Sequence, residues 1–256
     1  MSCAEGDNCV SSVVRLPQNT VGRDFVVGDL HGSFHLLVSA MRMVQFDKSI
    51  DRILSVGDLI DRGPDSARVL DFLDQDFVFA VQGNHEAHFV RTSVDRLRLY
   101  AKIDRHGLSW VGELETSHIQ EIQQRLLRLP VVLEVPTDSG LVGLVHADVP
   151  KGMDWETFVL RVASGCAETR QVAQDGRRRV DEADCSGVDG IARVFVGHSI
   201  MQGGPVRFGN VYAIDTGAVY YGDPAVKGTL TLVKINGDGL DIDKTMGGRI
   251  VANGYT

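Results

Sequence analysis

The stretch Gly57-Asp58-Leu59-Ile60-Asp61-Arg62-Gly63 sets two carboxylates and a guanidinium within five residues, directly after the apolar run Ile53-Leu54-Ser55-Val56. Carboxylates at the end of a buried run are costly unless they are paired or bind a cation. The same event recurs along the chain. Asp29 and His31 follow "DFVVG", and Asn84, His85 and Glu86 follow "DFVFAVQG". His146 and Asp148 follow "GLVGLV", and His198 follows "ARVFVG". Carboxylates, imidazoles and one amide gathered from separate runs make a mixed nitrogen–oxygen ligand set. Such ligands suit manganese, iron or zinc, and the absence of a thiolate argues against a structural cysteine-type zinc site. Two divalent ions about 3.5–4 Å apart, bridged by Asp58, would form the clamp used in phosphoryl hydrolysis. They would also turn the buried acids into ligands.

A single Gly-Asp pair is more often a turn than a ligand site. Recurrence at five run ends outweighs that plainer interpretation. The remaining histidines, His35, His88, His106 and His118, stand in helical or loop settings and are assigned structural roles. Asp148 is expected to be a turn residue, Glu86 to support its turn, and Trp110 and Trp155 to pack. The run Arg177-Arg178-Arg179, offset by Asp181, Glu182 and Asp184, is expected to be a solvated loop.

The elements that must position these groups are legible as punctuation. Short β-branched and aromatic runs ending in glycine or polar residues predict strands. The six runs are "DFVVGD", "RILSVGD", "DFVFAVQGNH", "GLVGLVHAD", "ARVFVGHS" and "NVYAIDTG". Between the early runs, "SFHLLVSAMRMVQF" places Leu36, Leu37, Ala40, Met41 and Val44 on one helical face, and "PDSARVLDFLDQ" starts with Pro64. "SHIQEIQQRLLRL" opens with a Ser117-to-Gln120 capping-box pattern and stops before Pro130. Strand–helix alternation argues for an α/β chain, and open α/β folds carry their chemistry at the carboxyl ends of strands. "KGTLTLVKINGDG" alternates like an antiparallel strand closing at Asn236-Gly237. Residues 1–20 are expected to be a flexible entry, 21–256 one domain, and 151–190 a long surface insertion.

The chain's 256 residues are 43% hydrophobic, enough for one ample core. A net charge of −8 disfavours a nucleic-acid or anionic-membrane partner. No run reaches the roughly 18 apolar residues of a membrane span, and the polar start "MSCAEGDNCVSS" is no secretory signal. Four cysteines without a C-x-x-C pair suit a reduced, cytoplasmic protein, with a Cys3–Cys9 disulfide the less favoured alternative. A monomer is expected.

"GDLHG" (28–32), "GDLIDRG" (57–63) and "GNHE" (83–86), followed by single histidines in "VHAD" and "VGHS", resemble the phosphoprotein phosphatase family of metallophosphoesterases. The likeness is to the compact bacterial and lambda-type phage branch, and it covers roughly residues 23–236. It implies a β-sandwich of two mixed sheets flanked by helices. It also implies that Asp29, His31 and Asp58 hold one metal, and that Asp58, Asn84, His146 and His198 hold the second. By the same likeness His85 is the general acid, oriented by Asp61, and Arg62 grips phosphate oxygens, with Asn84 also facing the phosphate. The family carries a second phosphate-binding arginine between its last two histidines, and Arg170 is expected there ahead of Arg161 and the 177–179 run. Manganese is the metal the resemblance suggests, with iron or zinc in its place.

The function expected is a protein serine/threonine phosphatase acting on phosphoproteins or phosphopeptides, with phosphotyrosine as a further substrate. Its nucleophile would be a water or hydroxide between the two metals, attacking phosphorus in line. A hydrolase of dinucleoside polyphosphates or of small phosphate esters is the alternative. The former family usually departs at the second and third motifs, where this chain keeps Asp61-Arg62 and Glu86. A non-catalytic module on a decayed scaffold is disfavoured, because every ligand position is filled.

Overall fold

Each of the six apolar runs becomes a short strand, and the polar residues that end it start a loop or, at Asn84, a helix. The computed structural model describes residues 11–236 and 249–252. The first half holds strands β1 (Val13–Arg15), β2 (Asp24–Val27), β3 (Arg52–Ser55) and β4 (Val78–Ala80). Helices α1 (Phe34–Met43), α2 (Val69–Leu73), α3 (Asn84–Arg91), α4 (Val94–Lys102) and α5 (Thr116–Leu127) accompany them. The second half holds β5 (Val132–Thr137) and β6 (Gly140–Val145), then helices α6 (Trp155–Ala163), α7 (Ala167–Asp175) and α8 (Arg178–Asp181). Strands β7 (Arg193–Val196), β8 (Val206–Phe208), β9 (Val211–Ala213), β10 (Leu230–Lys234) and β11 (Arg249–Ala252) complete it.

The strands form two mixed sheets, ordered β1-β5-β6-β7-β9-β8 and β11-β10-β2-β3-β4. Successive side chains of a strand face opposite sides, and here both sides are apolar. Phe25 and Val27 join a core under α1–α5, while Val26 between them joins the core between the sheets. On the other sheet Val194 and Val196 pack toward α6, and Phe195 points into the sandwich. Burial on both faces explains why the runs are continuously apolar instead of alternating. Strands β2, β3 and β4 are mutually parallel, as are β6, β7 and β9. Their carboxyl ends therefore carry the motif residues to one rim.

Three expectations are corrected here. Val13–Arg15 pair with Val132–Glu134 as a parallel strand and Leu16 is buried, so the flexible entry does not extend through residue 20. Residues 1–10, with the Cys3–Cys9 alternative, and Gly237 of the closing turn lie outside the described residues; Cys166 and Cys185 are free thiols. Residues 151–190 are not a surface loop. They form three helices, and Trp155, Phe158, Val159 and Val162 bury one face of α6 against the sheet that holds β5, β6 and β7. Helix α5 starts two residues earlier than the capping-box pattern places it, with Glu115 in extended backbone as its N-cap. No helix among the described residues is long and apolar enough to cross a membrane.

Candidate metal centre and active site

The loop after β3 turns sharply because its residues take left-handed backbone: φ is 48° at Asp58, 72° at Asp61 and 66° at Arg62. His31 (43°) and His198 (67°) do the same in their own loops. Such a conformation costs an L-residue roughly 1–2 kcal/mol and persists where surrounding bonds over-determine it. At Asp58 Glu86 supplies those bonds. Its buried carboxylate accepts the backbone N–H groups of Asp58 at 2.9 Å, Leu59 at 2.8 Å and Gly83 at 2.8 Å. It thus ties the second motif to the third, beyond the single turn expected of it. Burial, with the Asp58 charge adding, raises its pKa to about 7. Gly197 is required by crowding: a Cβ there would collide with the Asp29 carboxylate.

Asp29, His31, Asp58, His85, His146 and His198 are all buried and meet at the rim. Ligand atoms of His31, Asp58 and His85 lie within 4.8 Å of one another, and so do those of Asp58, His146 and His198. Asp58 belongs to both groups. Asp58 Oδ1 is 3.4 Å from His146 Nε2, and its Oδ2 is 3.6 Å from His31 Nε2. Around Asn84 Oδ1 converge His146 Nε2 at 2.9 Å and His198 Nδ1 at 3.0 Å. Asp29 sits beside them, its carboxylate accepting the His198 N–H at 3.0 Å.

The donor set fits two divalent cations. His31 and His146 each turn Nδ1 to a backbone carbonyl, of Ile60 and Val56, at 2.8 Å. Each Nε2 is thereby directed inward, where it would serve as a ligand once a cation displaces its proton. The protein's own charges leave the acids poorly neutralised. Burial, then the neighbouring Asp215, drives the Asp29 pKa well above the carboxylate range. Burial lifts Asp215 itself to about 6, against a hydrogen bond from Gly217. Burial also opposes ionisation of Asp58, but His146 and His85 outweigh it and hold its pKa well below the usual value. The His146 pKa reaches about 10, Asp58 overcoming burial, whereas burial drops His31 and His198 to about 3.

Beside this cluster His85 Nδ1 lies 2.6 Å from Asp61 Oδ2. Burial opposes the protonated His85 ring, yet Asp58 and Asp61 prevail and its pKa is raised. Trp110 is more than packing. It stacks on Phe89 with centroids 5.4 Å apart, and its indole N–H donates to Asp61 Oδ1 at 2.9 Å. Arg62 places Nη1 2.9 Å from His31 Nε2 and Nη2 3.0 Å from His85 Nε2. Its backbone N–H is held by Gly107 O at 2.8 Å. A cleft of about 270 Å³ opens from Asn84 and His85 past His88, Arg91 and His106 to Gln171, Gln174 and Asp175 on α7.

Arg170 does not join the site. Its guanidinium donates to Val162 O at 3.0 Å and to Ser12, fastening α7 to α6 and the entry strand. Of the neighbouring run, Arg179 is buried on Asp148 (2.8 Å) and the partly buried Arg178 pairs with Asp184 (2.6 Å), so the run is not a solvated loop and Asp148 is an ion-pair residue. Arg177 is exposed, and its charge acts on His198. Trp155 lies apart from the site, its indole donating to Glu134 at 2.7 Å. Two acids escaped the sequence reading. Asp215 ends the run "NVYAIDTG" and carried the same signal as Asp29; Asp175, on α7 3.4 Å from His198 Nε2, carried none.

This rim of two sheets, with Asp58 shared between two ligand groups, is the architecture of a metallophosphoesterase. The chain belongs to the calcineurin-like phosphoesterase family, whose description matches residues 25–167. It is 33% identical over 218 residues to serine/threonine-protein phosphatase 1 of Salmonella typhimurium, spanning 82% of this chain and 91% of that one. It is also 33% identical over 147 residues to a symmetrical bis(5'-nucleosyl)-tetraphosphatase of Erwinia tasmaniensis, spanning 56% of this chain and 48% of that one. Among solved structures, a Saccharomyces cerevisiae protein serine/threonine phosphatase superposes with a TM-score of 0.57 at 18% identity, over 94% of this chain and 82% of that one. The fold is the calcineurin-like metallophosphoesterase fold, and the chain is a phosphoesterase of a family that works through a dinuclear metal centre.

Proposed function

We propose that the enzyme is a protein serine/threonine phosphatase that takes phosphoproteins or phosphopeptides, with phosphotyrosine as a further substrate. The observation carrying this reading is the His85–Asp61 pair beside the Asp58-centred cluster. A serine or threonine alkoxide is a poor leaving group and requires a proton from a placed acid. The likeness to phosphatase 1, which runs through 91% of that protein, supports the same choice.

Asp29, His31 and Asp58 would hold one cation and Asp58, Asn84, His146 and His198 the other, with manganese the preferred metal and iron or zinc alternatives. When bound, they supply the positive charge that activates water near neutral pH and neutralises phosphate oxygens. The residues do the rest. Arg62 presents its planar fork to two phosphate oxygens. Asp61 accepts a hydrogen bond from His85 Nδ1–H and keeps the ring charged, so that Nε2–H faces the leaving oxygen. As a water oxygen bonds to phosphorus, the bond to the serine oxygen breaks and that oxygen takes the Nε2 proton.

The match to a symmetrical bis(5'-nucleosyl)-tetraphosphatase favours a second reading, hydrolysis of dinucleoside polyphosphates. Comparing kcat/KM for a phosphoserine peptide with that for diadenosine tetraphosphate tests the two. The protein-phosphatase reading expects the peptide to be preferred. Preference for the dinucleotide would overturn it.

A further inference from the structure

The three metal-type histidines differ in how their outer ring nitrogen is held. His31 and His146 rest Nδ1 on backbone carbonyls. His198 is reversed, with Nδ1 facing Asn84 Oδ1 at 3.0 Å. Its Nε2 is buried and has no hydrogen-bond partner among the described residues. The carboxylate beside it is Asp175, whose Oδ1 stands 3.4 Å away. Ligating imidazoles nearly always give their other N–H to a carboxylate, carbonyl or water, which fixes the tautomer and ring angle.

Asp175 reaches this place because α7 is docked on two ligand-bearing segments. Ala147 N–H, next to His146, donates to Ala173 O at 2.8 Å. Gln174 donates to Gln82, two residues before Asn84, at 2.8 Å. Gln171, one turn back on α7, donates to Asp175 Oδ2 at 3.2 Å and steadies the carboxylate. An acid in the last position of a helix is disfavoured by the helix dipole, so its presence calls for a compensating partner. His198 Nε2, 3.4 Å from Oδ1, stands nearest to that role.

We propose that Asp175 is a positioning residue, accepting a hydrogen bond from His198 Nε2–H and turning Nδ1 toward the second metal. The inference rests on the dinuclear reading above. It makes the affinity of one ion depend on the helical insertion, while the other ion's does not.

Manganese titration calorimetry of the full-length chain tests this with wild type, Asp175→Ala and Asp175→Glu. Wild type is expected to bind two ions, and Asp175→Ala to bind one of them about 10–100-fold more weakly with the other unchanged. Asp175→Glu, which keeps the acceptor, is expected to recover most of that loss. In the zinc-loaded protein, 15N ring signals of His198 should move in Asp175→Ala while those of His31 and His146 stay. Two unchanged affinities, or equal weakening of both, would overturn the proposal. A wild type unable to bind two ions would instead remove the dinuclear reading, and this inference with it.

Discussion

His85 Nδ1 and Asp61 Oδ2 lie 2.6 Å apart, both side chains almost wholly buried, and Trp110 closes the other carboxylate oxygen at 2.9 Å. The carboxylate is thus committed on both oxygens, and the imidazole is held in one orientation with its second nitrogen toward the cluster.

If this pair delivers the leaving-group proton, its loss must matter most where that proton is needed. His85→Asn should lower kcat for a phosphoserine peptide by about 10²–10⁴-fold. Turnover of p-nitrophenyl phosphate should fall far less, because nitrophenolate departs without much help. Steady-state kinetics on both substrates check this, and equal losses would count against the role.

Trp110 offers a subtler cut. Trp110→Phe keeps a ring on Phe89 but leaves Asp61 Oδ1 without its donor. Stranding a buried acceptor costs about 1–3 kcal/mol. Urea unfolding should report that loss, and peptide turnover should suffer more than nitrophenyl phosphate turnover. An unchanged midpoint and unchanged kinetics would show that the indole merely packs.

Arg62 touches His31 and His85 with its guanidinium, yet it is assigned to phosphate. Removing a charge-assisted bond of about 1.5–3 kcal/mol should weaken inhibition by inorganic phosphate about tenfold or more in Arg62→Ala. Metal content should stay at the wild-type level. Metal loss in this variant would contradict the division between clamp and ligands.

The paired acids Asp29 and Asp215 bear on stability. Burial of like charges keeps both pKa values raised, a cost that bound cations should relieve. Chelation should lower Tm by several degrees, since a ligand at 100 times its Kd contributes about 2.7 kcal/mol. Manganese should restore the transition in differential scanning calorimetry. A transition that does not respond to either would argue that these acids bind no metal.

Why the ligands were readable and their supports were not follows from locality. Asp29, Asp58, Asn84, His146 and His198 each end an apolar run, and all but His146 follow an exit glycine, so they are announced within a few residues. Strand β5 was obscured because its run "VLEVPT" carries Glu134 and Pro136. Glu134 is buried there only because Arg15 and Trp155 satisfy it. Trp155, Phe158, Val159 and Val162 did stand at helical spacing, but the surrounding charge masked it. Arg170 carried no local sign that it is turned away from the rim; its bond to Val162 is decided by how α7 docks on α6. Asp175 is likewise visible only through tertiary contact.

The central claim concerns the shared carboxylate, and elemental analysis after equilibration with manganese tests it most directly. Wild type should retain two ions per chain, whereas Asp58→Asn should lose both, because the substituted amide serves neither ligand group well. An Asp58→Asn protein that still holds two ions would contradict the claim that one side chain joins the two sites.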